Sequence, residues 1–203
     1  SPISEEIIPF APTPYYQPPE INQYAEGIDR NFGMITEEIL SNTFFQELIK
    51  FDYLQLPIKE YNKKSEPWLV DIHQVRIITT EVESGEPTPE GVHHDENDFV
   101  CIHLMKRENI IGGVNGIYNN NQELLEKRTL TNNLDSIILW DSKVMHGVTP
   151  IYPEISKNIA YRDVLLIGFT HTPNLQSPTG NTLFDYKEIK ENINPPVLQE
   201  KVN

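Results

Sequence analysis

Residues 91 to 99 read GVHHDENDF, and inside them His93, His94, Asp95 and Glu96 stand in a row. On an extended segment an imidazole and a carboxylate two residues apart project to the same side, with Cα atoms about 6.5–7 Å apart, and can take adjacent positions on a metal ion. Two registers satisfy that geometry equally, His93 with Asp95 or His94 with Glu96. A His-x-acid triplet also arises by chance at a polar strand end, so the pair gains meaning only from a third donor.

His146, in SIILWDSKVMHGVTP, is the candidate for that donor. Its neighbours are apolar, and burying an imidazole costs free energy unless both ring nitrogens find partners. It is therefore either a core histidine bonded to a backbone carbonyl or a metal ligand. Two histidines and one carboxylate leave three coordination positions open, the pattern that suits non-heme Fe(II) oxygenases, although zinc accepts the same donors. Arg162, near the start of the apolar run AYRDVLLIGF, either pairs with Asp163 or solvent, or uses its planar fork to hold a carboxylate in a pocket. A metal with open positions beside an anion clamp asks for a dicarboxylate cosubstrate, which is the form of 2-oxoglutarate chemistry.

These residues need a frame that brings distant strands together. In ITEEILSNTFFQELIKF the residues Ile35, Ile39, Leu40, Phe44, Leu48 and Ile49 recur at helical spacing, and Thr36 can cap the helix. Beyond NKKSEP the period drops to two, predicting strands at 70–80, 91–95, 98–106, 114–118, 136–141, 143–148 and 161–171, with a small helical insert near NQELLEK. Short strands between Gly, Pro and Asn turns, without strand–helix alternation, predict a mainly β fold with flanking helices, a β-sandwich or a jelly roll such as the cupin-like double-stranded β-helix. Gly112 and Gly113 lack the spacing of a nucleotide-binding loop and read as a turn or bulge. Residues 1–34, rich in Pro and aromatics, read as an arm, and 35–203 as a single domain whose tail carries one weak helical stretch, FDYKEIKENI.

The strand DIHQVRI turns His73 and Val75 one way and Gln74 and Arg76 the other. An inward polar pair would line a pocket, so Gln74 and Arg76 are candidates for cosubstrate binding, the alternative being a hydrated outward pair. His103 alternates with Phe99 and Cys101 and reads as a satisfied core histidine, Trp140 as a core aromatic, Asp141 as a turn or supporting acceptor, and Cys101 as a small buried hydrophobe.

The chain has 203 residues, enough for one sizeable core, and a formal net charge of −14 with scattered cations. That balance argues against nucleic acid and anionic membranes as partners. One cysteine excludes an intramolecular disulfide, and no apolar run reaches the ~18 residues that span a bilayer, so a cytoplasmic location is expected. An opening Ser-Pro without Met suits a processed or trimmed chain.

DIHQVRI, HHDENDFVCIHLM, IGGVNGIY, VMHGVTPI and YRDVLLIGF, in this order and spacing, resemble a bacterial family of Fe(II)/2-oxoglutarate-dependent dioxygenases that includes L-isoleucine 4-hydroxylase. The likeness is strong over about 70–171, and FFQELIKFDY looks like the family's preceding helix. The family pattern of His, any residue, then Asp places Fe(II) on His93, Asp95 and His146 and the far carboxylate of 2-oxoglutarate on Arg162. Many related oxygenases follow that arginine with x-Ser; here Asp163 and Val164 follow, so a second hydrogen bond must come from elsewhere, with Thr149 as the candidate. The resemblance implies O2-dependent hydroxylation of a small free L-amino acid, aliphatic such as isoleucine or leucine, with release of succinate and CO2. Two other classes fit the residues alone: an O2-independent cupin-like isomerase or hydrolase, and a catalytically silent metal-binding or stress-related module.

Overall fold

The computed structural model describes residues 7–9, 33–58 and 66–173. The segment 10–32 and the predicted helix FDYKEIKENI lie outside the described residues. Those described fall into two compact units: Leu48–Pro57 with Trp68–His171 in one, and 7–9, 33–47, 58, 66–67 and 172–173 in the other.

The helical stretch begins as predicted, with Thr36 capping α1 (Glu37–Leu40) by accepting from the Ile39 amide at 3.4 Å. It does not continue as one helix. Asn42 accepts from the Phe45 amide at 3.2 Å and starts a second helix, α2 (Thr43–Gln55). A short polar side chain that bonds the backbone locally favours such a restart over an unbroken helix. The buried stripe shifts accordingly: Phe45, Ile49, Asp52 and Leu56 are buried, whereas Phe44 is 54% exposed.

The larger unit is built on antiparallel sheets. Four strands, β1 (Trp68–Thr79), β2 (Phe99–Glu108), β6 (Ser136–Leu139) and β9 (Ala160–His171), pair in the order β1-β9-β2-β6. Three more, β4 (Val114–Tyr118), β5 (Leu124–Thr129) and β7 (Met145–Val148), pair in the order β5-β4-β7. A short ribbon joins β3 (Ile110–Gly112) to β8 (Ile151–Pro153). This is the expected mainly β architecture, a double-stranded β-helix with few helices.

Strand alternation gives the four-stranded sheet two buried faces. On the inner one Val100, Ile102, Leu104 and Leu139 cluster with Leu130, and Leu166 packs against them. On the other Phe99, Cys101, His103, Ile167 and Phe169 are buried, and Tyr53 of α2 sets its ring 6.3 Å from that of Phe169. Full burial of each large apolar side chain stabilises by about 1.5–3 kcal/mol, so both faces hold the sheet in place.

Two predicted elements differ. NQELLEK is not helical but forms part of the edge strand β5, exposed over Leu124–Arg128, so neither face imposes a period-two pattern. Residues 91–95 are not a strand: only His93 makes a bridge, to His146, between Gly91 and Glu96, whose φ values of 85° and 66° lie in the left-handed region. Gly112 and Gly113, read as a turn or bulge, end β3 and lead into β4 with left-handed φ values of 80° and 66°. A Cβ on Gly112 would lie 2.2 Å from the Pro150 carbonyl oxygen, so only glycine fits there.

Candidate metal centre

His93 and His146 exchange backbone hydrogen bonds, each amide 2.9 Å from the other's carbonyl oxygen. This bridge seats the loop residue on β7 and brings the two rings within 4.5 Å, centroid to centroid. Asp95 follows on the same loop. Its Oδ1 lies 3.2 Å from His93 Nε2 and its Oδ2 3.3 Å from His146 Nε2. One potential ligand atom from each of the three residues lies within 4.8 Å of the others.

The tautomer of His93 is set by its surroundings. Nδ1 lies 3.0 Å from the Gly91 carbonyl, which can only accept, so Nδ1 carries a proton and donates. Nε2 of a neutral ring then has a lone pair aimed at a carboxylate oxygen. Two electron-pair donors face each other at this distance only with a cation between them, a proton or a metal ion. Without a metal the proton takes that place: burial pulls the His93 pKa down, but the hydrogen bond and charge of Asp95, with the Gly91 carbonyl and Glu90, outweigh it and raise the pKa to about 9. For Asp95 burial pushes up, and the hydrogen bonds to His146 and His93 more than reverse it, holding the carboxyl well below its usual range. Two imidazole nitrogens and a carboxylate converging in this way fit Fe(II).

Asp141 supports the group from behind. It is 1% exposed, its Oδ2 accepts from the Asp95 amide at 2.9 Å, and its Oδ1 lies 3.8 Å from His146 Nδ1. Burial, then the charge of Asp95, raises its pKa. His94 points elsewhere, its Nδ1 donating to the Asp141 carbonyl at 2.6 Å. The geometry thus separates two registers that strand alternation left equal.

Arg162 is 2% exposed and projects from the inner face of β9. Asp163 does not pair with it: alternation puts Asp163 on the opposite face, where it takes Arg76 through two 2.7 Å bonds to Nε and Nη2. Among the described residues Arg162 keeps one long contact, Nη2 to Asn115 Oδ1 at 3.4 Å, and its buried Nε has no hydrogen-bond partner. Burial, then the charge of Arg107, lowers its pKa to about 10. Arg107 stands opposite it across β2 and β9, with a buried Nη1 that also lacks a partner. Two guanidinium groups with donors to spare make an anion site.

Three expected cosubstrate residues are placed elsewhere. Gln74 and Arg76 are exposed and share the outer face with Asp163, because His73, Val75 and Ile77 take the inner positions of β1. Thr149 is exposed, and its Oγ1 accepts from the Val114 amide at 3.0 Å. Asn115 and Arg107 were missed. Asn115, 3% exposed inside VNGIY, is a buried amide in an otherwise apolar strand, which is a readable signal. Arg107 sits in the charged run KRE and becomes an inner residue through a bulge in β2 between Leu104 and Lys106.

A double-stranded β-helix that presents two imidazoles and a carboxylate, together with a buried guanidinium that keeps a spare donor, has the build of the non-heme iron oxygenases. The chain belongs to the 2OG-Fe dioxygenase family, whose model matches residues 3–168, and that family uses Fe(II) and 2-oxoglutarate. It is 32% identical to the L-isoleucine-4-hydroxylase of Bacillus thuringiensis over 158 residues, 77% of this chain and 65% of that protein. It is 27% identical to the 3(1)-hydroxy-L-isoleucine 4-dioxygenase of Pantoea ananatis over 157 residues, 77% of this chain and 63% of that one. The crystal structure of a bsmA homologue from Methylobium petroleophilum superposes with a TM-score of 0.65 at 26% identity, covering 82% of this chain and 65% of that chain. The chain therefore spans somewhat less than two thirds of the length of the relatives it matches.

Proposed function

We propose that this protein is an Fe(II)/2-oxoglutarate-dependent dioxygenase that hydroxylates a free aliphatic L-amino acid, such as isoleucine or leucine. The observation that carries the reading is the convergence of His93, Asp95 and His146 in the same fold unit as the buried Arg162, whose Nε has no hydrogen-bond partner among the described residues. An O2-independent hydrolase or isomerase would use the three donors but would have no need of that cation. Two relatives that are named for action on isoleucine or its hydroxylated form support the substrate class.

In this reading His93 and His146 offer Nε2 and Asp95 a carboxylate oxygen to iron, and Arg162 with Arg107 receives the far carboxylate of 2-oxoglutarate. When bound, iron, 2-oxoglutarate and O2 supply the oxidation: 2-oxoglutarate is converted to succinate and CO2 while one oxygen atom enters a substrate C–H bond. The chain's own share is placement. The Gly91 carbonyl keeps the proton on His93 Nδ1, so Nε2 is the ligating atom. Asp141 fixes the Asp95 backbone by accepting its amide through Oδ2, while its Oδ1 lies 3.8 Å from His146 Nδ1, too far for a hydrogen bond. Val100, Ile102 and Leu104 wall the interior and exclude water.

The test supplies Fe(II), 2-oxoglutarate and a panel of free L-amino acids under anaerobic conditions, then O2. Succinate is expected in step with a hydroxylated amino acid, with a thioether sulfoxide as a side product from methionine. Succinate that no amino acid stimulates would overturn the proposal.

A further inference from the structure

The inner face of β9 carries a second polar station. Six residues beyond Arg162, about 20 Å along an extended strand, Gly168 stands opposite Asp71 of β1. Asn97 reaches between them: its Nδ2 donates to Asp71 Oδ1 at 2.7 Å and lies 3.1 Å from Thr170 Oγ1. A Cβ on Gly168 would fall 2.4 Å from Asn97 Nδ2 and 2.8 Å from Asp71 Oδ1, so the missing side chain is what makes room for the pair. Asn97 is 5% exposed and the Asp71 side chain 12%.

Among the described residues that carboxylate has no permanently charged partner. Asp71 Oδ2 has His73 Nε2 at 3.8 Å, beyond hydrogen-bond range, and among the described residues no lysine or arginine pairs with it. A nearly buried carboxylate held by one amide donor keeps acceptor capacity that a cation would use. The station is also close to the metal centre. Asn97 follows Asp95 by two residues, which limits their Cα separation to about 7 Å. The two ends of this inner face thus carry opposite charges, Arg162 with a spare donor and Asp71 with a titratable histidine as its nearest cationic neighbour.

We propose that Asp71, held by Asn97, receives the α-ammonium group of the amino-acid substrate and so makes the site select amino acids over the corresponding carboxylic acids. This rests on the amino-acid hydroxylase reading above. Asp71 is then a specificity residue that touches substrate, with Asn97 and the vacant Gly168 position fixing its rotamer.

The test loads the full chain anaerobically with Fe(II) and 2-oxoglutarate and titrates L-isoleucine, L-leucine and the des-amino analogues 3-methylpentanoate and 4-methylpentanoate. The visible charge-transfer band reports binding without turnover. For the wild type the amino acids bind and the analogues bind weakly. Asp71→Asn, nearly isosteric, is expected to weaken amino-acid binding about 10- to 100-fold, the worth of a charge-assisted hydrogen bond, and to abolish the preference over the analogues. Its 2-oxoglutarate affinity stays unchanged. Asp71→Glu keeps the charge and retains the preference; its loss in both variants would mark a structural role and overturn the proposal. Unchanged amino-acid affinity in Asp71→Asn, with a responsive wild type, overturns the ammonium assignment alone. A wild type that binds Fe(II) and 2-oxoglutarate but responds to no amino acid in binding or turnover overturns the function reading and this one together.

Discussion

The larger unit buries two histidine–carboxylate groups, and they differ in where their atoms aim. On the face toward α2, His103 is 1% exposed and Asp52 0%; His103 Nε2 lies 2.8 Å from Asp52 Oδ2, and Nδ1 lies 2.7 Å from Ser136 Oγ. The partners stand on opposite sides of the ring, so each nitrogen is satisfied and no pair of donors converges. Ser136 Oγ in turn donates to the Leu134 carbonyl at 2.7 Å, and the chain of bonds ends on the backbone. Cys101 borders this group, its thiol pKa raised by burial and by Asp52. In the other group Nε2 of both His93 and His146 aims at one carboxylate. A histidine with a partner at each nitrogen stiffens a fold, whereas histidines that share one acceptor leave a place for a cation.

The contrast breaks first at the converging group. His93→Ala is expected to abolish Fe(II) binding, measured by anaerobic equilibrium dialysis, while the fold survives because the bridge to His146 is made by backbone atoms. His94→Ala should leave iron bound, since its imidazole turns to the Asp141 carbonyl. Equal loss in both variants would mean that the register is wrong. His103→Ala should do the reverse. It leaves the Asp52 carboxylate buried without its partner, a loss of about 3–5 kcal/mol in denaturant unfolding, with iron bound per folded molecule unchanged. Loss of iron from folded His103→Ala would join the two groups and cancel the distinction.

Period two was enough to show β1, β2, β4 and β9, because each has at least one face that meets apolar neighbours. It failed on β5, whose residues Leu124–Arg128 are exposed. Composition placed His103 in the core correctly, yet its partner Asp52 was not legible, since the pair spans 51 residues and joins a helix to a strand. The loop GVHHDEN was read as a strand, so its alternation could not choose a histidine; the backbone bridge sets His93 and not His94 beside His146, and a bridge leaves no mark in sequence. In DIHQVRI polar residues fall on both faces of β1, so alternation alone could not say which pair turns inward. Arg107 was hidden by the bulge: unbroken alternation from Leu104 would turn Lys106 inward and Arg107 outward, and one extra residue exchanges them.

The two arginine sites of β1 and β9 sharpen the comparison further, at smaller effect. Arg76 has its charge met: Asp163 binds it bidentately, the Tyr161 ring centre lies 4.1 Å from its Cζ, and its side chain is 56% exposed. Arg162 lies on the opposite face, buried, with an unpartnered Nε and a second cation beside it. An exposed pair of this kind contributes little to stability because water and salt screen it, whereas a buried guanidinium short of partners gains from any anion that reaches it. Arg162→Ala is therefore expected to raise the 2-oxoglutarate concentration needed for half-maximal turnover about 100-fold, a loss near 2.7 kcal/mol, with iron affinity little changed. Arg76→Ala should leave that concentration where it is. If Arg76→Ala raises it as much as Arg162→Ala does, the cosubstrate is held on the outer face and the clamp has been assigned to the wrong arginine.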